Sequence, residues 1–154
     1  MVLVSFGGLG LPGFSCRVLA GLAEFQFVVS EPEPGAPPNV VAVTASRLEA
    51  AGLGYADLVG AADVVVTKPG YGIVSDAIGA GTRLVYTDRR DFPEYPILVR
   101  EMARCLPCAY VSNADLLAGR LREPLERVLA LAPAAPPELG GADVAARRLL
   151  DAAS

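Results

Sequence analysis

The segment from Lys68 to Gly72 combines a cation with glycines at a spacing that suits a phosphate ligand. Gly70 and Gly72 follow a run of valines, at the point where a buried strand would turn into a helix. Glycine lets the backbone approach a ligand closely, and a helix start offers unpaired N–H groups and a partial positive charge. Lys68 would add a full positive charge. These residues predict a turn that binds a diphosphate.

Asp76 follows Gly72 by four residues, which places both on one face of the predicted helix. The rise between them is about 6 Å, since an α-helix rises roughly 1.5 Å per residue. This is close to the offset between a diphosphate and the hydroxyls of its ribose, and a carboxylate accepts two hydroxyl donors well. The alternative is that the glycines only make a tight turn and that Asp76 is a solvated helix residue.

Strands and helices alternate along the chain, which predicts a Rossmann-like α/β fold with a parallel six-stranded sheet and helices on both faces. The predicted strands are residues 2–6, 25–29, 40–43, 63–67, 83–86 and 108–111. The predicted helices are residues 14–24, 55–61, 72–80, 94–104, 113–131 and 142–153. Ligands of such sheets bind at the carboxyl ends of the strands, where the strand order reverses. The loops after the first and fourth strands are therefore the first candidates for a site.

The length of 154 residues fits a single domain, and a content of 53% apolar and 19% charged residues allows a full core. We expect residues 1–132 to form this domain and residues 133–154 to form a linker and a C-terminal helix that packs on it. The sequence begins directly on a predicted strand. Natural domains often begin this way, and the alternative is that the chain was cut from a longer protein or works beside a separate partner.

The net charge of −4 does not supply the basic face that a nucleic-acid-binding protein needs. No apolar run approaches the roughly 18 residues of a transmembrane helix. The residues after Met1 carry no positive segment of the kind that opens a signal peptide, and three cysteines do not make an even disulfide set. These features predict a cytoplasmic protein.

The stretch Gly70-Tyr71-Gly-Ile-Val-Ser75-Asp76, with Ala-Ile-Gly-Ala-Gly-Thr-Arg-Leu-Val-Tyr after it, resembles the donor-site motif of GT-B glycosyltransferases. It is similar to the lipid II-forming N-acetylglucosaminyl transferase family, in which a Gly, a short turn and Ser-Glu precede a helix end of small residues. It is more similar still to the glycosyltransferase-like domain of plant arabinokinases, where Gly-Tyr-Gly-x-Val-Ser-Glu recurs. The resemblance covers residues 55–105. It implies that Asp76 takes the place of the Glu that holds the ribose.

Three other segments would complete a nucleotide-sugar site if the resemblance holds. Gly7 and Gly8 belong to a Gly-rich loop after the first strand, which contacts the donor phosphate or the acceptor in GT-B enzymes. Tyr55 begins the helix before the fourth strand, near the place of the base in related enzymes, and a Tyr could pack on that base. Asp91 and Glu94 follow the fifth strand and are the best matches to side chains that contact sugar hydroxyls. For each of these residues an ordinary core or surface role stays open.

The resemblance implies sugar transfer from a nucleotide-sugar donor, with UDP among the candidate nucleotides and without an essential metal or other cofactor. The chain has no histidine, and no other side chain stands out as the base that takes the acceptor proton, so we assign no catalytic residue. In GT-B enzymes that group usually belongs to the other domain. We therefore expect a donor-binding half that needs an N-terminal acceptor domain, a partner subunit or a second copy in a homodimer.

Two other functions stay open. Gly8-Leu-Gly-Leu-Pro-Gly13 matches the dinucleotide pattern G-x-G-x-x-G, and Glu31 follows about 20 residues on, as in NAD-binding modules. Pro12 delays the helix that this pattern needs directly after its turn. The other alternative is a non-catalytic interaction domain that retains the fold.

Overall fold

A computed structural model describes residues 1–8, 10–132, 134 and 139–153. Within these residues it contains a six-stranded sheet in the order β3-β2-β1-β4-β5-β6, with every neighbouring pair parallel. The strands are β1 (Val2–Ser5), β2 (Phe27–Val29), β3 (Val40–Ala42), β4 (Val64–Thr67), β5 (Arg83–Tyr86) and β6 (Cys108–Tyr110). The predicted Rossmann-like α/β fold is confirmed.

Helices cover both faces of this sheet. They are a 3₁₀ helix (Cys16–Gly21), α1 (Ala45–Ala50), α2 (Tyr55–Ala61), α3 (Tyr71–Ala80), α4 (Tyr95–Cys105), α5 (Asn113–Leu117), α6 (Arg122–Leu129) and α7 (Gly141–Ala152). Successive strand residues point to opposite faces, so Val2 and Leu3 enter different core clusters. The first cluster includes Leu19 of the 3₁₀ helix and Leu125 of α6. The second includes Val59 and other side chains from α1 to α4.

Strand β1 is the point at which the strand order reverses. It pairs with β2 on one side and with β4 on the other, and Ser5 at its end lies opposite Thr67 at the end of β4. The chain builds one half of the sheet from β1 to β3 and the other from β4 to β6. The carboxyl ends of β1 and β4 therefore border the position at which ligands of such sheets bind.

The prediction of a helix over residues 14–24 is wrong in extent and in type. Only Cys16–Gly21 is helical, and these residues form a 3₁₀ helix. The side-chain amide of Asn39 donates hydrogen bonds to the carbonyl oxygens of Leu19 and Leu22, at 3.1 and 3.0 Å. These bonds satisfy the carbonyls at the end of the helix and stop it there.

The single helix predicted for residues 113–131 is two helices. Gly119 lies between them with a left-handed φ of 73°, which ends α5. The N-cap of α5 is Ser112. The sequence analysis also missed α1, which begins after Thr44, whose hydroxyl oxygen accepts a hydrogen bond from a backbone N–H of the first turn.

Every described residue of α7 is exposed, and residues 133 and 135–138 of the predicted linker lie outside the described residues. The packing of a C-terminal helix on the domain therefore stays a prediction. None of the described helices is long and apolar enough to cross a bilayer.

Candidate functional site

A cleft of about 840 Å³ opens at the carboxyl ends of β1, β2 and β4. Ser5 and Thr67, the last residues of β1 and β4, are buried and line it. The Gly-rich loop after β1 and the start of α3 also line it. Small-molecule sites commonly have volumes of roughly 300–1,000 Å³. The cleft therefore has the size of a small-molecule site and lies where the fold predicts one.

The turn after β4 leads into α3 without a side-chain cap. Gly70 is the last extended residue before the helix, and no described side chain accepts a hydrogen bond from the first turn. Ser15, Thr44 and Ser112 cap the 3₁₀ helix, α1 and α5, whereas α4, α6 and α7 lack a side-chain cap as α3 does. An uncapped helix start keeps its N–H groups and its partial positive charge for an anion. Gly70 and Gly72 line the cleft, so this helix start borders it.

Lys68 connects the two loops that border the cleft. Its half-buried ammonium donates a hydrogen bond to the carbonyl oxygen of Gly10, at 2.9 Å. This bond uses one of the three ammonium donors. No carboxylate of the described residues pairs with Lys68. The ammonium is therefore held in place and keeps donors for an anionic ligand.

Asp76 is half-buried and lines the same cleft as the uncapped helix start. Within the described residues it has no hydrogen-bond or ion-pair partner. The structure brings seven of the predicted site residues together on this cleft: Gly7, Gly8, Tyr55, Lys68, Gly70, Gly72 and Asp76. Gly72 and Asp76, four residues apart on α3, thus line one common cavity.

Tyr55 lies at the cleft wall and its hydroxyl donates a hydrogen bond to Ser5 Oγ. The bond joins the start of α2 to the end of β1 and fixes the direction of the ring. Tyr55 is 37% exposed, so part of the ring is accessible to a stacking partner.

Four predicted site residues do not line the cleft: Tyr71, Ser75, Asp91 and Glu94. The Tyr71 hydroxyl donates a hydrogen bond to the Glu94 carboxylate, which raises the pKa of Tyr71. Ser75 is exposed on α3. Asp91 is exposed, with a left-handed φ of 58°, and lines a neighbouring depression of about 400 Å³. Roles for these four residues in ligand binding stay predictions.

Arg89 lines the cleft although the sequence analysis did not select it. Its Nη1 donates a hydrogen bond to the carbonyl oxygen of Pro69, at 2.7 Å, and its Cζ lies 4.1 Å from the centre of the Phe92 ring. A Cβ atom at Gly70 would lie 2.7 Å from this Nη1. Gly70 therefore makes room for a guanidinium that lies against the turn. The sequence did contain a signal for this contact. An Arg stands three residues before an aromatic residue, in a loop at the carboxyl ends of the strands.

Glu33 is a second charged residue of the cleft that the sequence analysis missed. Its carboxylate accepts hydrogen bonds from the Ser15 hydroxyl and from the Cys16 backbone N–H, the latter at 2.8 Å. These bonds hold the pKa of Glu33 below its usual value, and the bond from Ser15 has the largest effect. A carboxylate of the chain itself thus occupies the start of the 3₁₀ helix that follows β1.

The charged groups of the cleft are two cations, Lys68 and Arg89, and three carboxylates, Glu31, Glu33 and Asp76. Among the described residues, no group of three or more His, Cys, Asp or Glu side chains is placed to hold a metal ion.

No protein-family model matches the sequence. Part of the chain is similar to L-arabinokinase of Arabidopsis thaliana, with 34% identity over 98 residues. The similarity covers 63% of this chain and 9% of the plant protein. The chain thus corresponds to less than a tenth of that protein's length.

The fold is similar to the crystal structure of the glycosyltransferase of kitacinnamycin, with a TM-score of 0.63 and 21% sequence identity. The match covers 84% of this chain and 34% of the solved chain. The resemblance inferred from the sequence is confirmed both in the fold and in the similarity to a known sequence. The chain has a Rossmann-like fold that is also present in a glycosyltransferase, and it shares sequence with a plant L-arabinokinase.

Proposed function

We propose that this chain binds the nucleoside diphosphate part of a sugar donor, as the donor-binding half of a glycosyltransferase. The observation that carries the proposal is the uncapped start of α3, which borders the same cleft as Lys68 and Asp76. A helix start with a lysine beside it suits a diphosphate, and an unpartnered carboxylate suits the hydroxyls of a ribose. The fold shared with a solved glycosyltransferase supports this assignment.

Each group has a role in this proposal. The N–H groups after Gly70 and the Lys68 ammonium bind the diphosphate, and Asp76 accepts hydrogen bonds from the ribose. Gly7 and Gly8 bring the backbone of the loop after β1 close to the phosphates or the acceptor. Tyr55 packs on the base.

The chemistry is the transfer of a sugar to an acceptor hydroxyl. The bond between the anomeric carbon and the diphosphate breaks, and its electron pair leaves with the diphosphate. Preorganised N–H groups and an ammonium stabilise the negative charge that develops there. The acceptor oxygen forms the new bond, and its proton passes to a base. We assign this base to an acceptor domain, a partner subunit or a second copy of the chain, and we expect no turnover by this chain alone.

The surroundings of Glu33 argue against the alternative of a NAD-binding module. That module needs the helix start after β1 for its pyrophosphate. In this protein Glu33 already accepts hydrogen bonds from Ser15 and Cys16 at that helix start. A pyrophosphate at the same place would be repelled by this carboxylate. At the helix start after β4, no carboxylate of the described residues accepts a hydrogen bond from the backbone.

Calorimetric titration with UDP, GDP and dTDP tests the proposal. We expect at least one of them to bind with a submillimolar Kd that is the same with Mg²⁺ and with EDTA. Asp76→Ala should weaken this binding about tenfold or more, because a hydrogen bond to a charged group contributes roughly 1.5–3 kcal/mol. The matched control is Glu49→Ala, which removes an exposed carboxylate on α1 and should leave the Kd unchanged.

Absence of binding by all three nucleotides at millimolar concentration would contradict the proposal and favour an interaction domain that retains the fold. Binding that survives Asp76→Ala unchanged would remove the ribose role of this carboxylate.

A further inference from the structure

Arg89 reaches the anion-binding turn from the loop after β5, so a second cation lies at the turn besides Lys68. The guanidinium is positioned by two contacts, the hydrogen bond to the Pro69 carbonyl oxygen and the packing on the Phe92 ring. Pro69 is the residue directly before Gly70, the N-cap of α3. The head group of Arg89 is therefore fixed beside the helix start.

The positive charge of Arg89 is not neutralised by any carboxylate of the described residues. Six arginines elsewhere in the chain form ion pairs with carboxylates: Arg17, Arg100, Arg104, Arg120, Arg122 and Arg127. Arg89 is half-buried, and its head group contacts a neutral carbonyl and an aromatic ring. A partly buried cation without an anionic partner favours an anionic ligand.

The guanidinium of Arg89 also has more N–H donors than its hydrogen bonds in the structure use. An arginine head group has five N–H donors in a planar fork that fits two phosphate oxygens at once. The bond to the Pro69 carbonyl oxygen uses one of them. The cleft that Arg89 lines contains Lys68 as its other cation. A diphosphate carries more than one negative charge, so one ammonium cannot neutralise it alone.

We propose that Arg89 binds the diphosphate of the donor directly, together with Lys68 and the start of α3. This inference rests on the proposed function and adds a residue that selects for the phosphates. The aromatic packing keeps the guanidinium in place before the ligand arrives, so little side-chain entropy is lost on binding. The site thereby gains selectivity for nucleoside diphosphates over uncharged nucleosides.

The test compares a charged and an uncharged ligand on matched variants. Kd values for UDP, GDP and dTDP are measured by calorimetry, and those for uridine, guanosine and thymidine by ligand-observed NMR. The variants are Arg89→Gln, Arg89→Lys and Arg90→Gln, the last removing an adjacent exposed arginine that does not line the cleft. Thermal melts confirm that each variant is folded.

Arg89→Gln should weaken binding of the best diphosphate about tenfold or more and leave binding of its nucleoside within about twofold. Arg89→Lys should give a smaller loss because it keeps the charge without the planar fork. Arg90→Gln should behave like the wild type.

If the wild type binds a diphosphate and Arg89→Gln binds it equally well, the role of Arg89 is wrong while the proposed function stands. Equal weakening of diphosphate and nucleoside would mean that Arg89 only shapes the loop, and this result would also overturn the inference. If the wild type binds no diphosphate, both the inference and the proposed function fail.

Discussion

Glu33 and Asp76 are both carboxylates of the cleft, but their surroundings differ. Glu33 accepts hydrogen bonds from Ser15 and from the Cys16 backbone, whereas Asp76 has no partner among the described residues. A carboxylate with satisfied oxygens stabilises the fold, and one without partners keeps its oxygens for a ligand. This difference gives Glu33 a structural role and supports the ligand-binding role that we propose for Asp76.

Glu33→Gln tests the structural role through the dependence of stability on pH. The hydrogen bonds from Ser15 and Cys16 lower the pKa of Glu33 in the folded state below the usual 4.5. A lowered pKa contributes stability that is present above the unfolded value and is lost as the pH falls through the folded value. We expect Glu33→Gln to have a lower Tm than the wild type at pH 6, and the difference to shrink as the pH falls below about 4.5. Thermal melts across this range are the measurement, and a difference that does not change with pH would contradict the role.

The sequence predicts those site residues whose position follows from a regular spacing. Asp76 is one helical turn from Gly72, so the period of the helix alone places it on the face that borders the cleft. Arg89 and Glu33 were missed because their contacts depend on the path of irregular loops. Arg89 bonds to a residue 20 positions away and Glu33 to one 17 positions away, and neither separation follows from a periodic pattern.

At the level of elements, the junction between α5 and the 3₁₀ helix depends on one glycine. Gly119 has a left-handed φ, and a Cβ atom there would lie 2.4 Å from the carbonyl oxygen of Val18. That atom is backbone and cannot rotate away. The close approach lets the turn after α5 pack directly on the 3₁₀ helix.

Gly119→Ala should therefore destabilise the fold by at least about 2 kcal/mol, since the left-handed conformation alone costs an L-residue roughly 1–2 kcal/mol. Urea unfolding monitored by circular dichroism measures the change. The matched control is Gly79→Ala in α3, where the added methyl group has open space and the φ is ordinary. This control should gain up to about 1 kcal/mol from the higher helix propensity of Ala. Equal changes in the two variants would mean that the contact with Val18 has no energetic role.

Elements that consist of continuous apolar or helix-forming runs were predicted with correct bounds or within a residue or two. The valines of β4 are fully buried, as expected of a strand covered on both faces, and α2 spans the predicted residues. The split of the helix predicted for residues 113–131 has a local cause in Gly119, whereas the 3₁₀ helix ends through a distant group. Asn39 stops the 3₁₀ helix from a position 17 to 20 residues along the chain, and no local propensity contains that information.

At the level of the whole molecule, the three cysteines have different environments. Cys16 is 2% exposed in the core cluster between the sheet and the 3₁₀ helix, while Cys105 is exposed at the end of α4. Burial is the main cause that raises the pKa of Cys16 to about 11, with a further contribution from Glu33. Since the thiolate is the reactive form, Cys16 is protected both by burial and by its protonation.

We therefore expect iodoacetamide at pH 8 to modify Cys105 first and Cys16 only when the domain unfolds. Mass spectrometry of peptides after timed labelling in increasing urea measures both rates. Labelling of Cys16 should follow the global unfolding curve, because it lies in the core and not in a loop. The variant Cys105→Ser should leave the rate at Cys16 unchanged. Rapid modification of Cys16 without urea would show that the cleft opens locally around it.

The similarity to the solved glycosyltransferase covers about a third of that chain but most of this one. The shared fold therefore corresponds to one part of that chain. The acceptor domain, partner subunit or second copy that we propose would approach the carboxyl edge of the sheet, since the cleft opens there.

Lys68 is the only lysine in the sequence, and its amine is held against the loop after β1. A reagent that acylates amines therefore has one side-chain target in the sequence, the Lys68 amine that lines the cleft. The molecule provides this attachment point without an engineered residue. A photoactivatable group placed there would be covalently joined to whatever protein approaches that edge.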